Sequence, residues 1–459
     1  MTIRIGNGAG FLGDNLDAPR LLVEGARLDY LTLEYLAELT LSILARLREK
    51  NPEAGYAADL LEVLGSLTPA LKAQPQLKIV TNGGGMNPAA CARAAGKLLA
   101  DAGLGDVPIG VVTGDDLLPR LAELQQAGCP FTNLDTGAPL ASLGQPIVSA
   151  NAYLGAREIA AALDAGARIV ITGRVADASL TVGPAMHEFH WKWDDWERLA
   201  GASVAGHLIE CGAQATGGFY PHWDGLDLGH VGYPIAELET DASCVITKPD
   251  GTGGRVNRET VIEQLIYEIG DPAHYLTPDV DVDFTTVEVE EFGTDRVRVH
   301  GATGRVAPES YKVSLAYRAG YTASGQLLVY GRDCVAKARA AADIIFTRLR
   351  AGDVELEHTH VECLGAGEAV PGLHAPPADL REVLLRITVR DPRQEAVERF
   401  TRELAPLATS GPAGLAGYTA ARGTVRPVFA YWPTLVPKRL VRGAFEVKSA
   451  AECSNRGQS

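Results

Sequence analysis

Near-continuous apolar runs separated by stretches of helical period constrain this chain more than any other feature. Residues 2–5, 77–81, 107–112, 146–150 and 167–172 have the composition of strands buried on both faces, and 28–35 is expected to be a sixth. Between them Leu36, Leu39, Ile43, Leu44 and Leu47 recur at helical spacing, as do Leu60, Leu61, Leu64, Leu67 and Leu71. Further helices are expected at 88–102, 116–127 and 155–165, each closed by glycine or proline. Strand–helix alternation of this kind predicts an α/β fold built on a doubly wound, mostly parallel, Rossmann-like sheet.

The pattern changes after about residue 190. A tryptophan-rich segment leads into a helix ending near 210, and a helix is expected at 258–269. Short strands follow at 284–291, 295–299, 311–318 and 325–330, then a helix at 333–350 and strands near 354–362, 382–389 and 424–431. This is the pattern of a smaller α+β domain with antiparallel strands. The expected organisation is a Rossmann-like domain over 1–240, an α+β domain over 241–440, and a disordered tail over 449–459, where no apolar pattern is left.

Composition enters as an exclusion. A net charge of −15 over 459 residues argues against nucleic acid or an anionic membrane surface as partner. No apolar run approaches the roughly 20 residues of a membrane span. The seven cysteines form no C-x-x-C pair, and the opening Thr-Ile-Arg-Ile resembles a strand and not a secretory leader. A reduced, cytoplasmic protein is expected, with a homo-oligomer as the default assembly.

The strands end in polar, glycine-rich sequence. The endings are Asn7-Gly8-Ala9-Gly10, Thr81-Asn82-Gly83-Gly84-Gly85-Met86-Asn87, Thr113-Gly114-Asp115-Asp116, Ser149-Ala150-Asn151 and Thr172-Gly173-Arg174-Val175-Ala176-Asp177. In an open α/β sheet such loops share the rim where ligands bind. Asn7, Gly8, Gly10, Asn82, Gly83, Gly84, Gly85, Asn87, Thr113, Asn151 and Thr172 are therefore candidate substrate-binding residues. Gln214, Thr216, Gly217 and Gly218 join them from a later glycine-rich loop. Arg174 is a candidate anion clamp and Asp177, three residues on, a candidate general base, against the plainer reading of a structural ion pair. Asp115 is a third candidate, although an aspartate there also suits a helix cap.

Other motifs are weaker. Gly8-x-Gly10-x-x-Gly13 matches the dinucleotide fingerprint, and Glu34 stands 21 residues past Gly13, where a ribose-binding acid would lie. Against it, Pro19 and Gly25 leave only a short helix, and Asp14 puts negative charge where pyrophosphate would sit. Cys211 follows a helix C-terminus, the wrong end of the dipole for a nucleophilic thiolate. His222 and Asp224 are the foremost candidate ligands for a divalent metal. His187 with His190, and the period-two set His358, His360 and Glu362, are weaker ones.

Taken together the loops resemble the acyclic terpene utilisation AtuA family. The resemblance is carried by Ile3–Asp14 with Leu28–Glu38, Thr81–Pro88, Ile171–Ser179, His207–Gly218, Lys248–Val256, Gly270–Pro278 and Arg426–Pro433. It implies bacterial catabolism of acyclic terpenes and other branched acyl compounds. Many relatives continue into a ferredoxin-like domain, and the resemblance implies two alternatives for this chain: a small ferredoxin-like partner subunit that supplies it, or a function that does without it. The family hands over neither a reaction nor a catalytic residue.

The leading expectation is an enzyme that hydrates, dehydrates or hydrolyses an acyl-CoA or related carboxylic acid, with a CoA thioester as a candidate substrate and no cofactor specified. The alternatives are a non-catalytic subunit of an acyl-CoA carboxylase or lyase, and a nucleotide-dependent oxidoreductase.

Overall fold

The computed structural model describes residues 1–375, 377–416 and 423–455. Contacts divide the chain into two compact units, Met1–Ala316 with Tyr431–Ser459, and Tyr317–Ala430.

In the first unit the apolar runs form the expected strands: β1 (Thr2–Asn7), β2 (Tyr30–Leu33), β3 (Lys78–Thr81), β4 (Pro108–Thr113), β5 (Ile147–Ala152) and β6 (Ile169–Thr172). Helices α1 (Ala18–Gly25), α2 (Glu38–Lys50), α3 (Asp59–Ala73), α4 (Pro88–Asp101), α5 (Leu121–Gln126) and α6 (Arg157–Asp164) separate them. Then come α7 (Ser179–Phe189) and α8 (Trp196–Glu210), and after them β7 (Ile235–Glu239) and β8 (Cys244–Thr247). Five strands are parallel, in the order β1-β2-β3-β6-β4.

The sheet is mixed. β7, β8 and the hairpin Glu288–Gly293/Arg296–His300 extend it antiparallel beyond β1, and Ala444–Ser449 extends it antiparallel beyond β4. Alternate residues of the parallel strands face opposite helical layers. Leu31, Leu33, Ile79, Ile109 and Ile171 pack with α1, α3 and α4 in one core. On the other face a Cβ at Gly110 would meet Ala162 of α6 at 3.1 Å, and Tyr30 donates to Glu188 of α7 at 2.6 Å. Both faces are covered, which is why these strands are apolar throughout.

Several expectations are corrected. β5 leaves the parallel sheet and pairs with the strand that begins at Ser310, where Tyr153 N–H donates to the Lys312 carbonyl at 2.9 Å. The division expected at 240/241 falls between β7 and β8, which hydrogen-bond to each other. The run 116–127 shortens to α5 because Pro119 falls inside it. The tail expected to be disordered from 449 opens with a helix, Ala450–Ser454, whose signal is the capping box Ser449-x-x-Glu452. Ala450 is fully buried in the α1/α3/α4 core. Residues 456–459 lie outside the described residues.

The second unit is antiparallel, as the sequence suggests. Tyr321–Tyr330 pairs with Glu382–Asp391, which pairs in turn with His358–Leu364. The helix Cys334–Ala351 buries Ala338, Ala341, Ile345 and Leu349 in a core shared with Leu385 and Ile387 of the sheet. No helix among the described residues is long and apolar enough to cross a membrane.

The C-terminal helix sits against α4 through Gly96, where a Cβ would meet the Ala450 carbonyl at 2.5 Å. Gly96→Val is expected to cost roughly 1–3 kcal/mol. Hydrogen exchange checks it: the amides of 444–454 are expected to lose protection in the variant while those of β1–β3 keep it.

Candidate active site

The strand ends do converge at the carboxyl edge of the parallel strands, and they hold one another. Asp115, after β4, is buried and accepts from the Arg174 backbone N–H and from Asn151 Nδ2, both at 2.8 Å. Glu34, after β2, accepts from Leu36 N–H at 2.7 Å and from Asn82 Nδ2. Burial, and then the nearby Asp177 charge, push Glu34 well above the usual carboxylate range despite Arg174 and Asn82.

Arg174 stands at the centre of this network, with only 3% of its side chain exposed. Its Nη1 donates to the Leu36 carbonyl at 2.8 Å and to Asp177 Oδ1 at 2.9 Å, and lies 4.0 Å from Glu34. Its guanidinium lies over the Tyr153 ring, 4.0 Å from the centroid. Burial alone would lower its pKa, but Asp177, Tyr153, Glu34 and Glu38 outweigh it, so the guanidinium stays charged.

Arg174 and Asp177 face a cavity of about 440 Å³. Leu36, Ala37, Leu276, Pro278 and Leu435 supply apolar walls, and Glu38, Tyr153, His207, Glu210, Glu268 and Lys312 the polar ones. Asp177 keeps 35% of its side chain open. Burial raises its pKa to about 6 against the pull of Arg174, with Glu210 and Glu38 adding to the rise. Glu38 goes the other way. Burial would raise it, but the Tyr153 hydroxyl, Lys312 Nζ at 3.3 Å and Arg174 bring it down to about 2.

α8 supplies the opposite wall. It is buried along almost its whole length, and small residues let it sit close to its neighbours; a Cβ at Gly206 would meet Ala178 Cα at 2.8 Å. Its last turn presents His207 and Glu210. His207 Nδ1 lies 3.0 Å from Glu210 Oε1, and Nε2 lies 2.9 Å from the Gln264 carbonyl. Since a carbonyl only accepts, Nε2 carries hydrogen. Burial opposes the charged ring, but the Glu210 hydrogen bond prevails and raises the His207 pKa. Glu210 Oε2 is buried without a hydrogen-bond partner. Neither residue was singled out for chemistry from the sequence. The available signal was a histidine and a glutamate three apart in an otherwise apolar helix.

Of the residues chosen from sequence, Arg174 and Asp177 line this cavity; the others do not. Asp115 lies behind it. Asn7 donates to the Ile209 and Glu210 carbonyls at 2.7 and 3.0 Å, so it holds the end of α8. Gly8 packs on Pro19, and Gly10 on the Cys211 backbone, where a Cβ would come within 2.7 Å. The loop amides are occupied: Gly8 donates to the Thr32 carbonyl, Gly10 to Asp14 and Gly13 to Asp59. This loop therefore neither presents a dinucleotide cradle nor forms a wall of the cavity.

The remaining rim residues also serve the fold. Gly83 donates to Thr81, Gly84 packs on the Thr172 carbonyl and Gly85 on Leu44. Asn87 caps α4 and donates to the Pro52 and Ala54 carbonyls. Thr113 pairs with Ala444, and Thr172 bonds the Gly173 carbonyl. Thr216 donates to the Gly232 carbonyl at 2.6 Å, while Gln214, Gly217 and Gly218 close a tight turn through backbone bonds.

The metal candidates separate. His222 and Asp224 are exposed, with His222 edge-on to Tyr220 at 5.4 Å. His187 bonds Asp164 at 2.6 Å, and Glu362 pairs with Arg386. Among the described residues, the group whose ligand atoms approach within 4.8 Å of one another is Glu288, Glu290 and His300 on the edge hairpin. Burial, aided by Glu210, pushes the Cys211 thiol up to about 12, which removes it as a nucleophile at neutral pH.

The model of the family described as acyclic terpene utilisation family protein AtuA matches residues 3–447. No curated protein and no solved structure matches the chain.

Two predictions follow from the buried carboxyls. Asp115→Ala leaves the Arg174 amide and Asn151 without their acceptor and is expected to cost roughly 2–4 kcal/mol in urea unfolding, with Asp115→Asn costing less. Burial lifts Asp115 and Asp177 to about 6, above the unfolded value of about 3.9. The folded chain thus keeps protons that the unfolded chain has released. The stability each contributes is full below about pH 4 and is lost as pH rises through 6. Unfolding midpoints from pH 4.5 to 7 should therefore fall less steeply for Asp177→Asn than for the native chain.

Proposed function

The chain belongs to the acyclic terpene utilisation AtuA family, and from that premise we propose that it is a catabolic acid–base enzyme acting on a branched acyl compound. Hydration, dehydration or hydrolysis of an acyl-CoA or related carboxylic acid is the reaction class. The observation that carries this reading is Asp177. It is a carboxyl open to an apolar-walled cavity, with its pKa near 6 and a buried guanidinium fixing one oxygen. A base tuned toward neutrality accepts a proton readily and can return it. Arg174 orients Asp177 and offsets the charge it carries, while Glu210, hydrogen-bonded to His207, supplies a second carboxyl in a different environment.

The cavity is large enough for a short branched chain, and its walls from Leu36 to Leu435 suit one. The same reading takes a CoA thioester as substrate form, a homo-oligomeric cytoplasmic enzyme, and a doubly wound description of the parallel strands, supported by the helices on both of their faces.

Asp177→Asn is expected to lower kcat by about 10²–10⁴-fold on the responsive acyl substrate. In the native enzyme kcat/KM should rise with pH through about 6 as Asp177 loses its proton. Turnover in Asp177→Asn equal to that of the native enzyme would remove Asp177 from the mechanism.

A further inference from the structure

Each cation at the cavity already has a carboxylate. Arg174 is held by Asp177, and Lys312 Nζ by Glu38 at 3.3 Å. The His207 ring lies between Glu210 and the Gln264 carbonyl. Glu268 adds a fourth carboxylate to the lining, so Glu38, Asp177, Glu210 and Glu268 stand against Arg174, Lys312 and His207. A negatively charged group entering here would meet no unmatched cation among the described lining residues, and would approach carboxylates across apolar walls where screening is weak.

The unmet hydrogen-bonding capacity has a matching character. Arg174 Nε–H is a buried donor without an acceptor, and Glu210 Oε2 a buried acceptor without a donor. A carboxylate can only accept, and so cannot serve Glu210. A neutral group that has both a carbonyl and a hydroxyl can donate as well as accept.

We infer that the group entering this cavity is uncharged, the carbonyl end of a branched hydroxyacyl thioester, and that the corresponding free carboxylate is excluded by charge. The inference rests on the reading of the cavity as the substrate site, and narrows it from acyl compounds in general to the neutral thioester form.

Calorimetric titration of the whole chain at pH 7.5 tests it, with two probes that share one acyl chain. These are the N-acetylcysteamine thioester of 3-hydroxy-3-methylbutanoate, which has no phosphates, and the sodium salt of the acid. The thioester is expected to bind, and the acid to bind at least about tenfold more weakly. Removing a lining charge should narrow that gap by raising affinity for the acid. Asp177→Asn does this within the Arg174 network, and Glu268→Gln does it outside that network, so a folding defect in the first leaves the second to decide. An acid that binds as tightly as the thioester overturns the charge exclusion and leaves the acyl site standing. Acid affinity unchanged in both variants overturns it equally. Failure of both probes to bind overturns the inference and the site reading together.

Discussion

The ion pair between Arg174 and Asp177 is the interaction around which the rest of the site is arranged. A guanidinium almost wholly removed from water must keep its partners, because an uncompensated buried charge costs several kcal/mol. The partners come from separate strand ends: the Leu36 carbonyl beyond β2, Asp177 beyond β6 and the face of Tyr153 beyond β5. Asp115, beyond β4, holds the Arg174 backbone rather than its charge. Loops distant in sequence are thereby tied to one position, and Asp177 is left with one fixed oxygen and an opening to the cavity.

That arrangement explains why a strand edge rich in asparagine, glycine and aspartate contributes so little of its polarity to the cavity. The polar groups bond one another. Asn82 serves Glu34, Asn151 serves Asp115, and Asn7 secures the last carbonyls of α8. By holding α8, Asn7 indirectly places His207 and Glu210 opposite Asp177. The glycines answer a steric need, since Gly10 and Gly84 sit where a Cβ would strike the backbone of another element. Residues of the kind that bind ligands at such edges here build the support for two that face the cavity.

How far the site could be read from the chain depends on what each residue's role rests on. Arg174 and Asp177 were visible because charge at a strand end, three residues apart, is a local pattern. His207 and Glu210 were not, because an apolar helix with two polar residues looks the same whether they are satisfied in a core or face a cavity. Glu38, Tyr153 and Lys312 come together only because β5 leaves the parallel strands and pairs with the segment beginning at Ser310. An apolar run of six residues contains no information about which edge it will join.

The sequence by itself determined the six strands and most helices of the first 172 residues, the parallel character of that half and the antiparallel character of residues beyond 317. Periodicity, glycine and proline placement, and capping act over a few residues, and they are written locally. The tertiary structure alone decided the mixed sheet, the antiparallel addition of β7 to β1, the docking of Ala450–Ser454, and which polar groups face the cavity. These depend on pairings between residues tens to hundreds of positions apart, where hydrogen-bond satisfaction and burial are settled by the whole fold at once.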